Sequence, residues 1–88
     1  MKIKEGYLLR EIAGTHVVVP IGERVIEFKG MMTLNETGMF IWEQLQSEST
    51  FEDVLDSILS SYEIDEGTAK TDLEEFISVA GKNGVLVQ

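Results

Sequence analysis

Met31-Met32-Thr33-Leu34-Asn35-Glu36-Thr37-Gly38-Met39-Phe40-Ile41-Trp42 is where the chain changes its period. Before this stretch, β-branched and apolar residues run in short bursts; after it, apolar residues recur every three or four positions. Leu34 reads as the end of a strand. Asn35 is a strong helix N-cap, and Glu36 beside it suits the positive end of a helix. Gly38 allows close packing where the two elements meet. Strands come first and helices follow, so the chain is α+β rather than a parallel α/β sheet.

Working toward the N-terminus, His16-Val17-Val18-Val19-Pro20 reads as a strand, and Pro20 must end it or lie on an edge. Tyr7-Leu8-Leu9-Arg10-Glu11-Ile12 is its partner across an Ala13-Gly14-Thr15 turn, and together they make an antiparallel hairpin. Arg24-Val25-Ile26-Glu27-Phe28 and Met31-Met32-Thr33-Leu34 both look extended, with Gly30 between them. One of them is the third strand, or the two form one strand bulged at Gly30.

Toward the C-terminus, Ile41, Trp42 and Leu45 share one side of a first helix ending near Ser47. Thr50 caps a second helix, with Asp53 completing a weak capping box, and Phe51, Val54, Leu55, Ile58, Leu59 and Tyr62 form its apolar stripe. Asp65 caps a third helix whose buried stripe is Ala69, Leu73, Phe76, Ile77 and Ala80. Gly81 and Gly84 end that helix, and Val85-Leu86-Val87 adds a strand or packs on the core. The expected architecture is winged-helix-like: an N-terminal three-stranded antiparallel sheet followed by three helices, in one domain spanning residues 1–88.

Composition limits the chemistry. An 88-residue chain buries only about 60–65% of the surface its unfolded form exposes, which leaves little volume for an enclosed active site. There is no cysteine, so thiolate metal sites, disulfides and cysteine nucleophiles are excluded within the chain. No stretch approaches the roughly 18–20 apolar residues that span a bilayer, and a soluble cytoplasmic protein is expected. Residues 1–30 carry Lys2, Lys4, Arg10, Arg24 and Lys29 against Glu5, Glu11, Glu23 and Glu27, a net charge of +1. Residues 31–88 carry Lys70 and Lys82 against twelve carboxylates, a net −10 that brings the chain to −9. Such a surface repels nucleic-acid phosphates and anionic membranes.

No catalytic constellation emerges. His16, the one histidine, alternates into a strand with no cysteine beside it. No serine lies in a Gly-x-Ser-x-Gly elbow. Gly81-Lys82-Asn83-Gly84 follows a helix, whereas a phosphate loop precedes one. Glu63-Ile64-Asp65-Glu66-Gly67 lacks the alternation of a calcium loop. Met31, Met32, Met39 and Phe40 suit an irregular core better than a ligand pocket. Neither a cofactor nor a metal is expected, nor is enzymatic activity.

Leu34-Asn35-Glu36-Thr37-Gly38 followed by Phe40-Ile41-Trp42-Glu43-Gln44-Leu45 resembles the PqqD family, named for pyrroloquinoline quinone biosynthesis protein D. Thr50-Phe51-Glu52-Asp53-Val54, Asp72-Leu73-Glu74-Glu75-Phe76-Ile77 and Gly84-Val85-Leu86 extend the resemblance, which spans residues 7–88. The Gly22–Gly30 segment is longer than the family pattern leads one to expect. The resemblance implies a recognition element for ribosomally made, post-translationally modified peptides. Such domains bind the leader of a precursor peptide as an added strand on the third β-strand, beside the third helix. They then present the rest of the precursor to a modifying enzyme, often a radical S-adenosylmethionine enzyme.

Peptide-binding candidates follow from that mode. On the strand side they are Lys29, Met31, Met32 and Thr33, with Met31 and Thr33 on one face and Met32 and Leu34 on the other. On the third helix they are Asp72, Glu75, Phe76, Val79 and Lys82, a contiguous face at spacings of three and four. Phe76 and Val79 would hold an apolar residue, and Asp72 and Glu75 would meet basic ones. Phe76 has an equal claim to the core. The motif at Leu34–Gly38 is expected to build the fold and leave the peptide to its neighbours. Expected partners are therefore a leader peptide and its modifying enzyme, with neither nucleic acid nor membrane, and a homodimer is open to a small domain with an exposed sheet edge. The alternative is a degenerate winged-helix DNA-binding regulator. Its recognition helix would bring Asp72, Glu74 and Glu75 toward phosphates, with only Lys70 and Lys82 in support.

Overall fold

The computed structural model describes residues 1–27 and 32–87. β1 (Lys2–Ile3) leads into the hairpin of β2 (Tyr7–Ile12) and β3 (Thr15–Pro20). A one-turn helix α1 (Arg24–Glu27), a short strand β4 (Met32–Leu34) and the helices α2 (Glu36–Gln44), α3 (Phe51–Ser61) and α4 (Glu66–Lys82) follow. The chain closes on β5 (Leu86–Val87). This is the expected α+β arrangement: a three-stranded antiparallel sheet in the order β2-β3-β4, then three helices.

The hairpin turn is one residue shorter than its sequence suggests. Ile12 pairs with Thr15, and Ala13 and Gly14 lie between them at φ 52° and 81°. Two successive left-handed residues make a type I′ turn, whose twist matches that of the flanking strands. Gly14 takes this conformation without strain, and Ala13 follows it under the demand of the register.

Of the two candidates for the third strand, Met32–Leu34 is the one that pairs with β3. The expectation of an extended Arg24–Phe28 is corrected: Arg24–Glu27 is a helical turn, and Phe28 lies outside the described residues. β-branched side chains favour a strand only where a pleated surface is free to receive them, and here β4 occupies the edge of β3. The chain instead turns through Gly22, with bonds from Arg24 N to Ile21 O, Val25 N to Gly22 O and Ile26 N to Glu23 O. Arg24 is tied back by its Nε, which donates to the Glu5 carbonyl at 2.9 Å, and its guanidinium lies over the Tyr7 ring. The bulge proposed at Gly30 falls outside the described residues.

α2, α3 and α4 each begin where their capping residue stands. Asn35 Oδ1 accepts from Gly38 N at 2.8 Å. Thr50 and Asp53 form a complete capping box. The Asp65 carboxylate accepts from Thr68 N at 3.0 Å and from the Thr68 hydroxyl at 2.6 Å. The first long helix stops at Gln44, short of Ser47, with Leu45 as its C-cap, fully buried in the core. α4 continues through Gly81 to Lys82; an interior glycine costs a helix only about 1 kcal/mol. Gly84, at φ 71°, makes the turn into β5.

The core lies between the sheet and the helices. Val18, Met32 and Leu34 project from the sheet onto Ile41, Trp42, Ile58, Leu73 and Phe76. α2, α3 and α4 all pack on one another. The C-terminal apolar run pairs with an element not foreseen from sequence: Leu86 lies opposite Ile3 in a two-stranded ribbon, and Ile3 N donates to Leu45 O. No helix among the described residues is long and apolar enough to cross a membrane.

Asp65 links the fold to pH. Hydrogen bonds, first from the Thr68 hydroxyl and then from the Thr68 N–H, hold its carboxyl below the ordinary value of 3.8. The stabilisation is therefore present above the unfolded-state value and is lost as pH falls through the lowered folded one. Asn at this position keeps a capping oxygen but does not titrate. In urea unfolding followed across acidic pH, wild type is expected to lose more stability than Asp65→Asn, and the gap between them to close at the lowest pH. Parallel curves would dissociate the cap from the acid response.

Candidate functional site

The hairpin register determines which backbone groups reach solvent. Ile12 and Thr15 flank a two-residue turn, so they form a hydrogen-bonded pair, and the pairs alternate from there. His16 and Val18 consequently direct their N–H and C=O away from β2 and toward β4, where they face Leu34 and Met32. Thr33 lies opposite Val17 between those pairs. Its own N–H and C=O therefore point outward from the sheet, and no backbone partner for them occurs among the described residues. β4 is thus an open edge with one outward donor–acceptor pair at its centre.

This edge runs beside a groove of about 230 Å³ between β4 and α4. Met32, Thr33, Leu34, Asn35 and Gly38 line one side, and Asp72, Glu75, Phe76 and Val79 line the other. Met32, Thr33, Asp72, Glu75, Phe76 and Val79 are thereby brought together. Lys82 is exposed at the end of α4 and does not line the groove. Lys29 and Met31 fall outside the described residues.

The alternation on β4 is as expected: Met32 and Leu34 turn inward and Thr33 outward. Met32 is 1% exposed and Phe76 6%, so both are core side chains that also form the groove floor. Val79 is 37% exposed and belongs to the wall. Asp72 and Glu75 stand one helical turn apart on the same wall, and among the described residues they have no ion-pair partner and no basic residue lines the groove. The groove therefore joins an apolar floor to a negative wall, beside unpaired backbone.

Leu34, Asn35 and Gly38 also line this groove, although their motif was expected to serve the fold alone. Both roles have one cause. A Cβ on Gly38 would stand 3.2 Å from Asn35 Oδ1 and 3.4 Å from Leu34. The side chain absent there keeps the strand-to-helix junction tight and leaves the groove end open. The signal was available in the sequence, since a cap that ends an edge strand must sit beside that edge.

The other candidates for chemistry remain apart from the groove. His16 Nε2 lies 3.2 Å from Glu11 Oε1 across the hairpin, a cross-strand pair. Among the described residues no group of three or more His, Asp or Glu side chains could hold a metal ion.

The family model described as coenzyme PQQ synthesis protein D (PqqD) matches residues 15–86, and the chain belongs to that family. Two solved structures are similar in fold. "TbiB1 in Complex with the TbiA(beta) Leader Peptide" superposes with a TM-score of 0.71 at 23% identity, covering 98% of this chain and 94% of that one. "Lasso peptide synthetase B1 complexed with the leader peptide" superposes with a TM-score of 0.70 at 18% identity, covering 99% and 96%. No curated protein sequence matches the chain.

The two apolar residues of α4 in the groove should separate on truncation. Phe76→Ala is expected to cost about 3–5 kcal/mol of unfolding free energy through its cavity. Val79→Ala, at a partly exposed position, should cost no more than about 1 kcal/mol. Urea denaturation of the two variants measures this directly, and equal losses would contradict the division into floor and wall.

Proposed function

We propose that this PqqD-family chain is a non-catalytic adaptor. It captures the leader of a ribosomally made precursor peptide by strand addition to β4 and presents the remainder to a modifying enzyme. The observation that carries the reading is the open edge at Thr33 beside a groove of mixed character. An added strand gains hydrogen bonds from the edge without demanding much of the peptide's sequence, and side-chain pockets supply the selection. Both similar structures are described as complexes with a leader peptide. At their level of identity they support the fold, and by analogy the type of ligand.

In the proposed complex, alternate side chains of the peptide enter the groove. An apolar one rests on Phe76 and Val79, and a basic one meets Asp72 and Glu75, which have no ion-pair partner among the described residues. Met32 supports the floor. Lys29 and Met31, just before β4 in sequence, and Lys82, beyond the groove, would contact the peptide's flanks. Among the described residues no nucleophile–base pair lines the groove, and on this reading the chemistry falls to the partner. We assign that partner to the radical S-adenosylmethionine enzymes on the family resemblance. A DNA-binding role gains no support, since α4 carries Glu66, Asp72, Glu74 and Glu75, which would face phosphates unfavourably.

Strand addition can be tested without knowing the natural leader. Linear peptides selected from a displayed random library on the immobilised protein would be labelled and titrated by fluorescence anisotropy. Thr33→Pro removes the outward N–H while sparing the ladder to β3, as proline can at an edge. It is expected to weaken binding roughly 5- to 30-fold, the equivalent of one or two hydrogen bonds. Unchanged affinity would overturn strand addition at β4. Glu75→Lys should weaken peptides with a basic residue by about 2- to 5-fold, as for a partly exposed ion pair. No change there would remove the charge pairing and leave the strand addition standing.

A further inference from the structure

The register of β4 restricts how an added strand can lie. Met32 and Leu34 face the core, and of the three residues of β4 Thr33 alone turns its backbone groups outward. In an antiparallel pair one ligand residue exchanges both hydrogen bonds with Thr33; in a parallel pair the two bonds slant to two different residues. An edge this short, with one outward residue, therefore favours antiparallel addition. The ligand residue opposite Thr33 then turns its side chain away from the core, as Thr33 does. Its two neighbours lie opposite Leu34 and Met32 and turn theirs into the groove.

The wall of the groove has a direction as well. β4 runs from the Pro20 end of the sheet toward the hairpin turn, since Met32 lies opposite Val18 and Leu34 opposite His16. α4 ends where β4 begins. Val85 O, just past α4, accepts from Lys4 N at 2.8 Å, and Gly6 O, two residues further on, accepts from Ile21 N at 2.8 Å beside Pro20. Asp72 accordingly lies toward the Leu34 end of the groove and Val79 toward the Met32 end.

We infer that the groove reads an ordered tripeptide within the leader, basic–any–apolar from N- to C-terminus. The inference rests on strand addition at β4. A ligand antiparallel to β4 runs in the same direction as α4. Its first groove residue lies opposite Leu34 and meets Asp72 and Glu75, which select lysine or arginine. Its second lies opposite Met32 and rests on Phe76 and Val79, which select an apolar side chain. The spacing agrees. Phe76 and Val79 each follow their acidic counterpart, Asp72 and Glu75, by four positions, about 6 Å along a helix. Two residues of extended chain cover about 6.8 Å. The residue between them gives its N–H to Thr33, so it is open to any side chain except proline.

Peptides selected from a displayed random library on the immobilised protein serve as probes, labelled and titrated by fluorescence anisotropy. The selected sequences should share Lys or Arg two positions before an apolar residue. Exchanging those two residues, or inserting one residue between them, should weaken binding about 10-fold. N-methylation of the residue between them should cost as much, whereas N-methylation of either neighbour, whose N–H faces solvent, should cost little. Glu75→Lys should come to favour a peptide whose basic residue is replaced by glutamate. Selected peptides with the reverse order, or with no fixed order or spacing, would overturn the inference, as would an order-exchanged peptide that binds equally well. If Thr33→Pro still weakens such peptides, strand addition stands and the ordered reading alone falls; if it does not, strand addition itself fails.

Discussion

The hydrogen bond from Gly38 N–H to the Asn35 side chain, 2.8 Å long, marks the point on which the rest of the structure depends. It satisfies one of the orphan donors of α2 and fixes the residue at which an extended chain becomes helical. Leu34 must then be the last residue of β4, and its side chain is directed into the core beside Met32. The strand is consequently short, and its outer edge runs beside the helix that packs across it. Moving the cap by one residue would turn Thr33 inward and Met32 outward, because strand side chains alternate. The groove floor, the open backbone and the core are thus set by one capping geometry.

The charge distribution obeys a second constraint. Twelve carboxylates in residues 31–88 are tolerated because the helices keep them off the core, in which no charged side chain is buried among the described residues. Asp53 and Asp65 act as capping groups at helix N-termini, where negative charge is favourable. Asp72 and Glu75 differ from these. They occupy the groove wall, and among the described residues neither a cap nor a cation accounts for them. Their position gives a solvated acidic face a local direction, which is why the proposed reading assigns them to the peptide.

The helical half of the fold was legible because capping residues and apolar stripes are local signals. Asn35, Thr50 and Asp65 each mark a helix start, and Ala69, Leu73, Phe76 and Ala80 mark the buried face of α4. The hairpin was legible for the same reason. The third strand was not, because Val25 and Ile26 have as strong a β-propensity as Met32 and Leu34. The choice between them rests on which run reaches the free edge of β3, a tertiary matter. Val25 and Ile26 remain exposed, Ile26 at 86%, so their apolar character misled. The β1–β5 ribbon was equally hidden, since two residues at each end carry no periodicity. At the site, the resemblance indicated the strand and the helix, whereas the division of Phe76 from Val79 into floor and wall required the fold. Lys82 shares their spacing on the helix but lies past the end of the groove, because helical periodicity does not say where a neighbouring strand stops.

Size supports the proposed recognition by backbone. A chain of 88 residues has a high ratio of surface to volume and cannot spare side chains to wall off a pocket without thinning its own core. Met32 and Phe76 show the compromise, since each serves the core on one side and the groove floor on the other. A ligand that brings its own hydrogen-bonding backbone removes the need for depth, because the edge supplies donors and acceptors that the fold has already positioned. The same economy leaves the sheet with two edges. One is short and backed by a groove, which allows side-chain selection. The other, β2, is longer and carries Arg10 and Glu11 among its six residues, charged side chains of the kind that protect an exposed edge. On the proposed reading, that difference in surroundings and strand chemistry is why the peptide is placed at β4 and not at β2.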